Sequence, residues 1–114
     1  MSVKTKRIAS EMVRVISNIL LEDARDELLK TISITSAEVA PDLSYAKVYF
    51  TSNSLKNHSD LESEMEEASP FIRKLVAEKM DIRNTPKLKF VYDESIGYAN
   101  NIERIIKEIH EGEE

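Results

Sequence analysis

The chain has 114 residues, 41% of them hydrophobic, no cysteine, and 16 lysines and arginines against 21 aspartates and glutamates, a formal net charge of -5. That is the size of one ordinary domain, and the lack of cysteine excludes a disulfide framework and a thiolate metal site. No apolar run approaches the roughly 18 to 20 residues that span a bilayer, and the N-terminus lacks the apolar stretch of a secretory signal, so a cytoplasmic protein without membrane attachment is expected.

Over residues 3–21, Ile8, Met12, Val15, Ile16 and Ile19 recur at spacings of three and four and predict an amphipathic helix. Its polar face carries Lys4, Arg7, Glu11, Arg14 and Asn18. Cations near a helix start oppose the helix dipole, so helix stability does not account for them. Residues 21–30, with Asp23, Arg25, Asp26 and Glu27, read as a connection or one loose turn ending in Leu28 and Leu29. Residues 31–39 are β-branched, with Ile32 and Ile34 alternating against Thr31, Ser33 and Thr35. Pro41, Asp42 and Ser44 supply turn chemistry. Residues 45–50 alternate again, Ala46, Val48 and Phe50 against Tyr45, Lys47 and Tyr49, which predicts an antiparallel hairpin.

After a polar loop, Ser59 or Asp60 is expected to cap a helix with Leu61, Met65 and Ala68 inward. Pro70 lacks a backbone donor but fits a first helical turn with Ser69 as cap, so this helix is expected to stop and a second to start, carrying Phe71, Ile72, Leu75, Val76 and Met80 inward. A turn at 84–86 precedes a third strand on Leu88, Phe90 and Tyr92. Ile102, Ile105, Ile106 and Ile109 predict a short C-terminal helix.

Three segments resemble the ribosome-binding factor A family: Val39-Ala40-Pro41-Asp42-Leu43-Ser44-Tyr45-Ala46-Lys47-Val48-Tyr49, Ala68-Ser69-Pro70-Phe71-Ile72-Arg73, and Arg83-Asn84-Thr85-Pro86-Lys87-Leu88-Lys89-Phe90-Val91-Tyr92-Asp93-Glu94-Ser95. The resemblance implies an α+β, type II KH-like domain, a three-stranded sheet packed by helices with a kinked helix pair. The domain is expected to fill residues 1–110, ahead of an acidic tail at 111–114. It also implies a monomeric factor that binds the small ribosomal subunit and assists maturation of its rRNA, notably in the cold, without catalysis or cofactor. Pro70 stands where the family's kink has glycine. The Gly-x-x-Gly clamp of RNA-binding KH modules is absent, since the only glycines are Gly97 and Gly112.

Binding would then rest on basic side chains. Between Ala68 and Asp93 the chain collects Arg73, Lys74, Lys79, Arg83, Lys87 and Lys89 against only Glu78 and Asp81. A second group is Lys4, Lys6, Arg7 and Arg14, while acids crowd into Asp60, Glu62, Glu64, Glu66 and Glu67 and into Glu108, Glu111, Glu113 and Glu114. A chain of net negative charge meets a polyanion only through such segregation, and the cations are expected to share one patch. The candidate RNA contacts are these cations together with Lys47, apart from Lys89, which alternates away from Leu88 and Phe90. Arg73 leads, because a guanidinium fork matches phosphate oxygens. Tyr45 and Tyr49 beside Lys47 suit base stacking or the edge of a core. The glutamate run reads as a solvated helix face. Neither His58 nor His110 neighbours a nucleophile or a metal-ligand spacing, which argues against an enzyme. The competing reading is a protein-binding adaptor that uses the acidic helix. The tail is expected to screen the basic surface until RNA displaces it.

Overall fold

A computed structural model describes residues 3–24 and 26–95. The expected C-terminal helix and the acidic tail lie outside the described residues. Helix α1 (Val3–Asn18) buries Ile8, Met12, Val15 and Ile16 as its periodicity requires. It runs into a π-helical turn, Ile19–Asp23, closed by the Ala24 N–H on the Ile19 carbonyl at 3.0 Å. A short 3-10 turn, Leu29–Thr31, then leads into the sheet. The connection expected at 21–30 thus begins inside the π-helical turn and ends in the 3-10 turn, and it buries Ala24 and Leu29.

Strands β1 (Ile32–Val39) and β2 (Tyr45–Ser52) form the expected antiparallel hairpin, with a register shift between Ile34 and Ser36. Leu43 in the connecting turn has φ 61, a left-handed conformation that costs a non-glycine residue. The Asp42 carboxylate accepts the Ser44 hydroxyl at 2.7 Å and the Ser44 N–H at 3.0 Å. Those two bonds favour the ionised carboxyl and hold it below the ordinary aspartate range.

Helix α2 (His58–Lys79) crosses over the sheet, and β3 (Lys87–Tyr92) lies parallel to β2, giving a mixed sheet of order β1-β2-β3. Parallel neighbours need such a crossover. The stop expected at Ser69 does not occur, and one helix runs through Pro70. The proline removes a single donor, the one owed to the Glu66 carbonyl. Buried Leu61, Met65, Ile72 and Val76 keep one helical phase across it. Ser69 is therefore not a cap, and its hydroxyl donates instead to the Leu88 carbonyl at 3.2 Å. The cap at the helix start is Asn57, whose side chain accepts from the Asp60 N–H at 2.9 Å, in place of Ser59 or Asp60. Phe71, expected inside, is 43% exposed.

Both helices lie on one sheet face, α1 over β1 and α2 over β3, and they touch each other. Ala46, Val48, Phe50 and Phe90 point into that layer and join Met12, Ile16, Met65 and Val76 in one core cluster. Each large apolar side chain buried there stabilises the fold by about 1.5 to 3 kcal/mol. Among the described residues, no helix or strand packs on the opposite face of the sheet, and no helix is long and apolar enough to cross a membrane.

Candidate nucleic-acid interface

Among the described residues, the candidate cations other than Lys79 fall in three places rather than one patch. Lys4, Lys6, Arg7 and Arg14 are exposed on α1, the helix that packs on β1, and spread around its outer surface. Lys6 lines a groove with Ala9, Ser10 and Val13 against Thr35, Ser36 and Ala37, where the register shift bends β1. Arg14 pairs with Glu11 at 3.9 Å in solvent, a pair of little energetic weight. Because α1 covers β1 and α2 covers β3, this group sits on a different helix from Arg73 and Lys74, and Lys6 is the member placed against β1.

The second place is a shallow hollow between the C-terminal half of α2 and the loop before β3, lined by Pro70, Arg73, Lys74, Ala77, Arg83, Asn84 and Thr85. Arg73 does something unexpected here. Its Nε–H donates to the Pro86 carbonyl at 3.1 Å and its Nη2 to the Thr85 carbonyl at 2.8 Å. It therefore clamps the loop to the helix, next to a fully buried Pro86. Lys74 and Arg83 stay exposed at the rim. Lys79 is set apart, pairing with Asp23 at 3.5 Å and tying the end of α2 to the π-helical turn.

The third place is the uncovered sheet face. The parallel register sets Tyr45 beside Lys87, Lys47 beside Lys89, and Tyr49 beside Val91. All of these side chains point away from the helices, since Ala46, Val48, Phe50 and Phe90 between them are buried. Glu38 faces Lys47 from β1, yet Lys47, Lys87 and Lys89 enter no ion pair among the described residues. This answers why Lys89 alternates away from Leu88 and Phe90: the helices cover the other side. Lys87 follows Thr85 and Pro86 directly, so the sheet face and the hollow share the loop that Arg73 holds.

Sequence reading grouped the tyrosines and lysine of β2 but missed Lys89 as their neighbour. Alternation placed each residue on a face; only the parallel register brings the two strands' faces together.

The acidic run on α2 is partly structural. Glu62 Oε2 accepts the Tyr92 N–H at 2.9 Å, satisfying a backbone donor on the outer edge of β3. Glu62 and Glu66, with Ser59, Ser63, Leu88, Lys89 and Phe90, line a groove between α2 and β3. Two carboxylates there disfavour phosphate. His58 is likewise engaged: its ring stacks on Tyr92 with centroids 3.5 Å apart, and Nδ1 lies 2.8 Å from Glu94 Oε1. Asp93 accepts the Thr35 hydroxyl at 2.6 Å and the Ser95 N–H at 3.1 Å, joining both sheet edges and capping the turn after β3.

The sequence profile described as ribosome-binding factor A matches residues 4–106. A ribosome-binding factor A from Macrococcus caseolyticus is 37% identical over 112 residues, covering 96% of this chain and 97% of the relative. The chain belongs to the ribosome-binding factor A family. A second relative of that description, from Francisella philomiragia, is 36% identical over 110 residues, 96% of this chain and 77% of its own length. Among known structures, the fold resembles the crystal structure of ribosome-binding factor A from Thermus thermophilus, with a TM-score of 0.68, 15% identity, and coverage of 77% of this chain and 93% of that one. It also resembles a homology model of the Thermus thermophilus factor fitted into a cryo-electron-microscopy map of a 30S complex, with a TM-score of 0.65, 14% identity, and coverage of 79% and 96%. At these identities the structural likeness speaks for the fold, an α+β KH-like arrangement, and the family follows from sequence.

Proposed function

We propose that this chain is an assembly factor that binds the small ribosomal subunit through its rRNA and assists maturation of that RNA without making or breaking a covalent bond. Family membership supports the ribosome as partner, and the Thermus thermophilus relative is described in complex with 30S. The observation that carries the RNA reading is the continuity of cations around one clamped loop. Lys74 and Arg83 rim the hollow and Lys87 starts the sheet face, in a chain whose net charge is -5. Lysine and arginine at such a surface contact phosphate; the sequence of the RNA is not what they read. Lys47 extends the contact across the sheet. Arg73 positions the loop, and Lys79 fastens the helix end. Lys4, Lys6, Arg7 and Arg14 supply a separate contact on α1, with Lys6 beside β1. The protein acts as a monomer in the cytoplasm and carries no cofactor.

Co-sedimentation with purified immature and mature small subunits tests this. Reversing charge at Lys74 and Arg83 together is expected to weaken binding by about tenfold or more while leaving thermal unfolding unchanged, the loss of two phosphate contacts. Undiminished co-sedimentation of a folded variant would contradict the role of this surface. The carboxylate groove of Glu62 and Glu66 favours a second reading, an adaptor for a basic protein segment. Neutralising both glutamates abolishes subunit binding in that case and leaves it intact in ours.

A further inference from the structure

We infer that the uncovered face of the sheet, centred on Tyr45, Lys47, Tyr49, Lys87 and Lys89, is a stacking platform for unpaired RNA bases; this rests on, and narrows, the reading of the chain as an rRNA-binding factor.

Three observations converge on it. Tyr45 is 53% exposed, and neither Tyr45 nor Tyr49 is among the residues packed on the core, whereas Tyr92 is. The tyrosines are thus not the edge of a core. They lie on either side of Lys47 on β2, four residues or about 13 Å apart along the strand. Secondly, the register places Lys47 directly beside Lys89, with Lys87 two residues along the same strand. Like charges on adjacent strands destabilise a sheet. Glu38 offsets Lys47 from one side only. Lys89 also shares a groove with Glu62 and Glu66 at the β3 edge, and a phosphate lying between the two ammonium groups relieves the repulsion between them. Thirdly, α1 and α2 both pack on the other face, so among the described residues nothing occupies this one.

Aromatic rings at strand spacing with ammonium groups between them match the chemistry of a single strand, whose splayed bases stack while its phosphates follow the cations. A duplex cannot use the rings, because its bases are already stacked and paired. The surface therefore selects unpaired segments of rRNA over helices. The hollow at Lys74 and Arg83 makes no such distinction, since only phosphate is met there.

The test titrates the full chain, at fixed salt, with a short oligouridylate and with an RNA duplex of equal length. The wild type is expected to prefer the single strand. Tyr45→Leu and Tyr49→Leu each should weaken single-strand binding by about fivefold to a hundredfold, the range of one base stack. Duplex binding should change by less than about twofold, because stacking on a ring is closed to paired bases, and Tyr45→Phe should restore the single-strand affinity. Lys47→Gln with Lys89→Gln should weaken both forms. Thermal unfolding of each variant reports that the fold is retained. The inference is overturned if the tyrosine variants bind the single strand as the wild type does, or if both RNA forms lose equally. It is also overturned if Tyr45→Leu abolishes subunit co-sedimentation while oligouridylate binding is unchanged, an outcome that assigns the face to a protein. Failure of the wild type to co-sediment with subunits would instead sink the broader proposal, and the oligonucleotide arm would still read the sheet face.

Discussion

Arg73 and Arg83 separate two uses of the same side chain. Arg73 donates from Nε and Nη2 to consecutive carbonyls, Pro86 and Thr85, a fork that a lysine cannot reproduce. Arg73→Lys should therefore cost about 1 kcal/mol or more, since hydrogen bonds to charged groups contribute about 1.5 to 3 kcal/mol and this one is partly solvated. Arg83→Gln at the exposed rim should change stability by less than about 0.5 kcal/mol while weakening RNA binding. Urea denaturation of the two variants beside an RNA titration distinguishes them, and equal loss of stability in both would contradict the division. At Asp42, the bonds from Ser44 lower the carboxyl's folded-state pKa. A lowered value means that the ionised form stabilises the turn above the ordinary aspartate range, and that this contribution fades as pH falls through the folded value. Ser44→Ala should move the Asp42 titration, followed by NMR, upward toward the ordinary value.

At the scale of elements, α2 is held by contacts that the sequence displays only in part. Pro70 leaves the Glu66 carbonyl without its helical partner, so Pro70→Ala should stabilise the domain by about 1 to 3 kcal/mol. A fall in the urea midpoint would mean that the proline fixes the placement of Ser69 and Arg73 against β3. Glu62→Ala should remove the acceptor for the Tyr92 amide, cost about 1 to 3 kcal/mol, and speed hydrogen exchange at Tyr92 above that of Phe90. The hairpin, α1 and the inward stripe Leu61, Met65, Ile72 and Val76 were legible because periods of 2 and 3.6 are written in the order of apolar residues. The continuity of α2 was not. Proline announces a break locally, and what overrides it is distant, the unbroken helical phase of the buried side chains and the Ser69 bond to Leu88. Likewise Asn57 outcompetes Ser59 and Asp60 as cap because its oxygen reaches the Asp60 N–H, a matter of backbone angle that composition does not reveal.

Over the whole molecule, charge segregation takes a different form from the single patch that the sequence suggested. The chain order of cations was readable, but their grouping depends on sheet order. With β1 and β3 at opposite edges, the helices over them carry separate groups of basic residues, and Lys79 of α2 is taken up by Asp23 beside α1. What the fold joins is a hollow, a clamped loop and a sheet face, running from Lys74 and Arg83 through Lys87 to Lys89 and Lys47. Phe50, buried beneath that face in the core, is the residue on which the platform rests; Phe50→Ala should cost about 3 to 5 kcal/mol and lose RNA binding with the fold. Affinity for a phosphate polymer through such a surface must depend on released counterions.

The most direct test is the salt dependence of wild-type binding to purified small subunits. With about four phosphates contacted, the logarithm of the association constant should fall against the logarithm of salt concentration with a slope of roughly -3, and charge reversal at Lys74 and Arg83 should reduce that slope. Tight binding that stays flat across the same range of salt would contradict recognition of RNA by these cations.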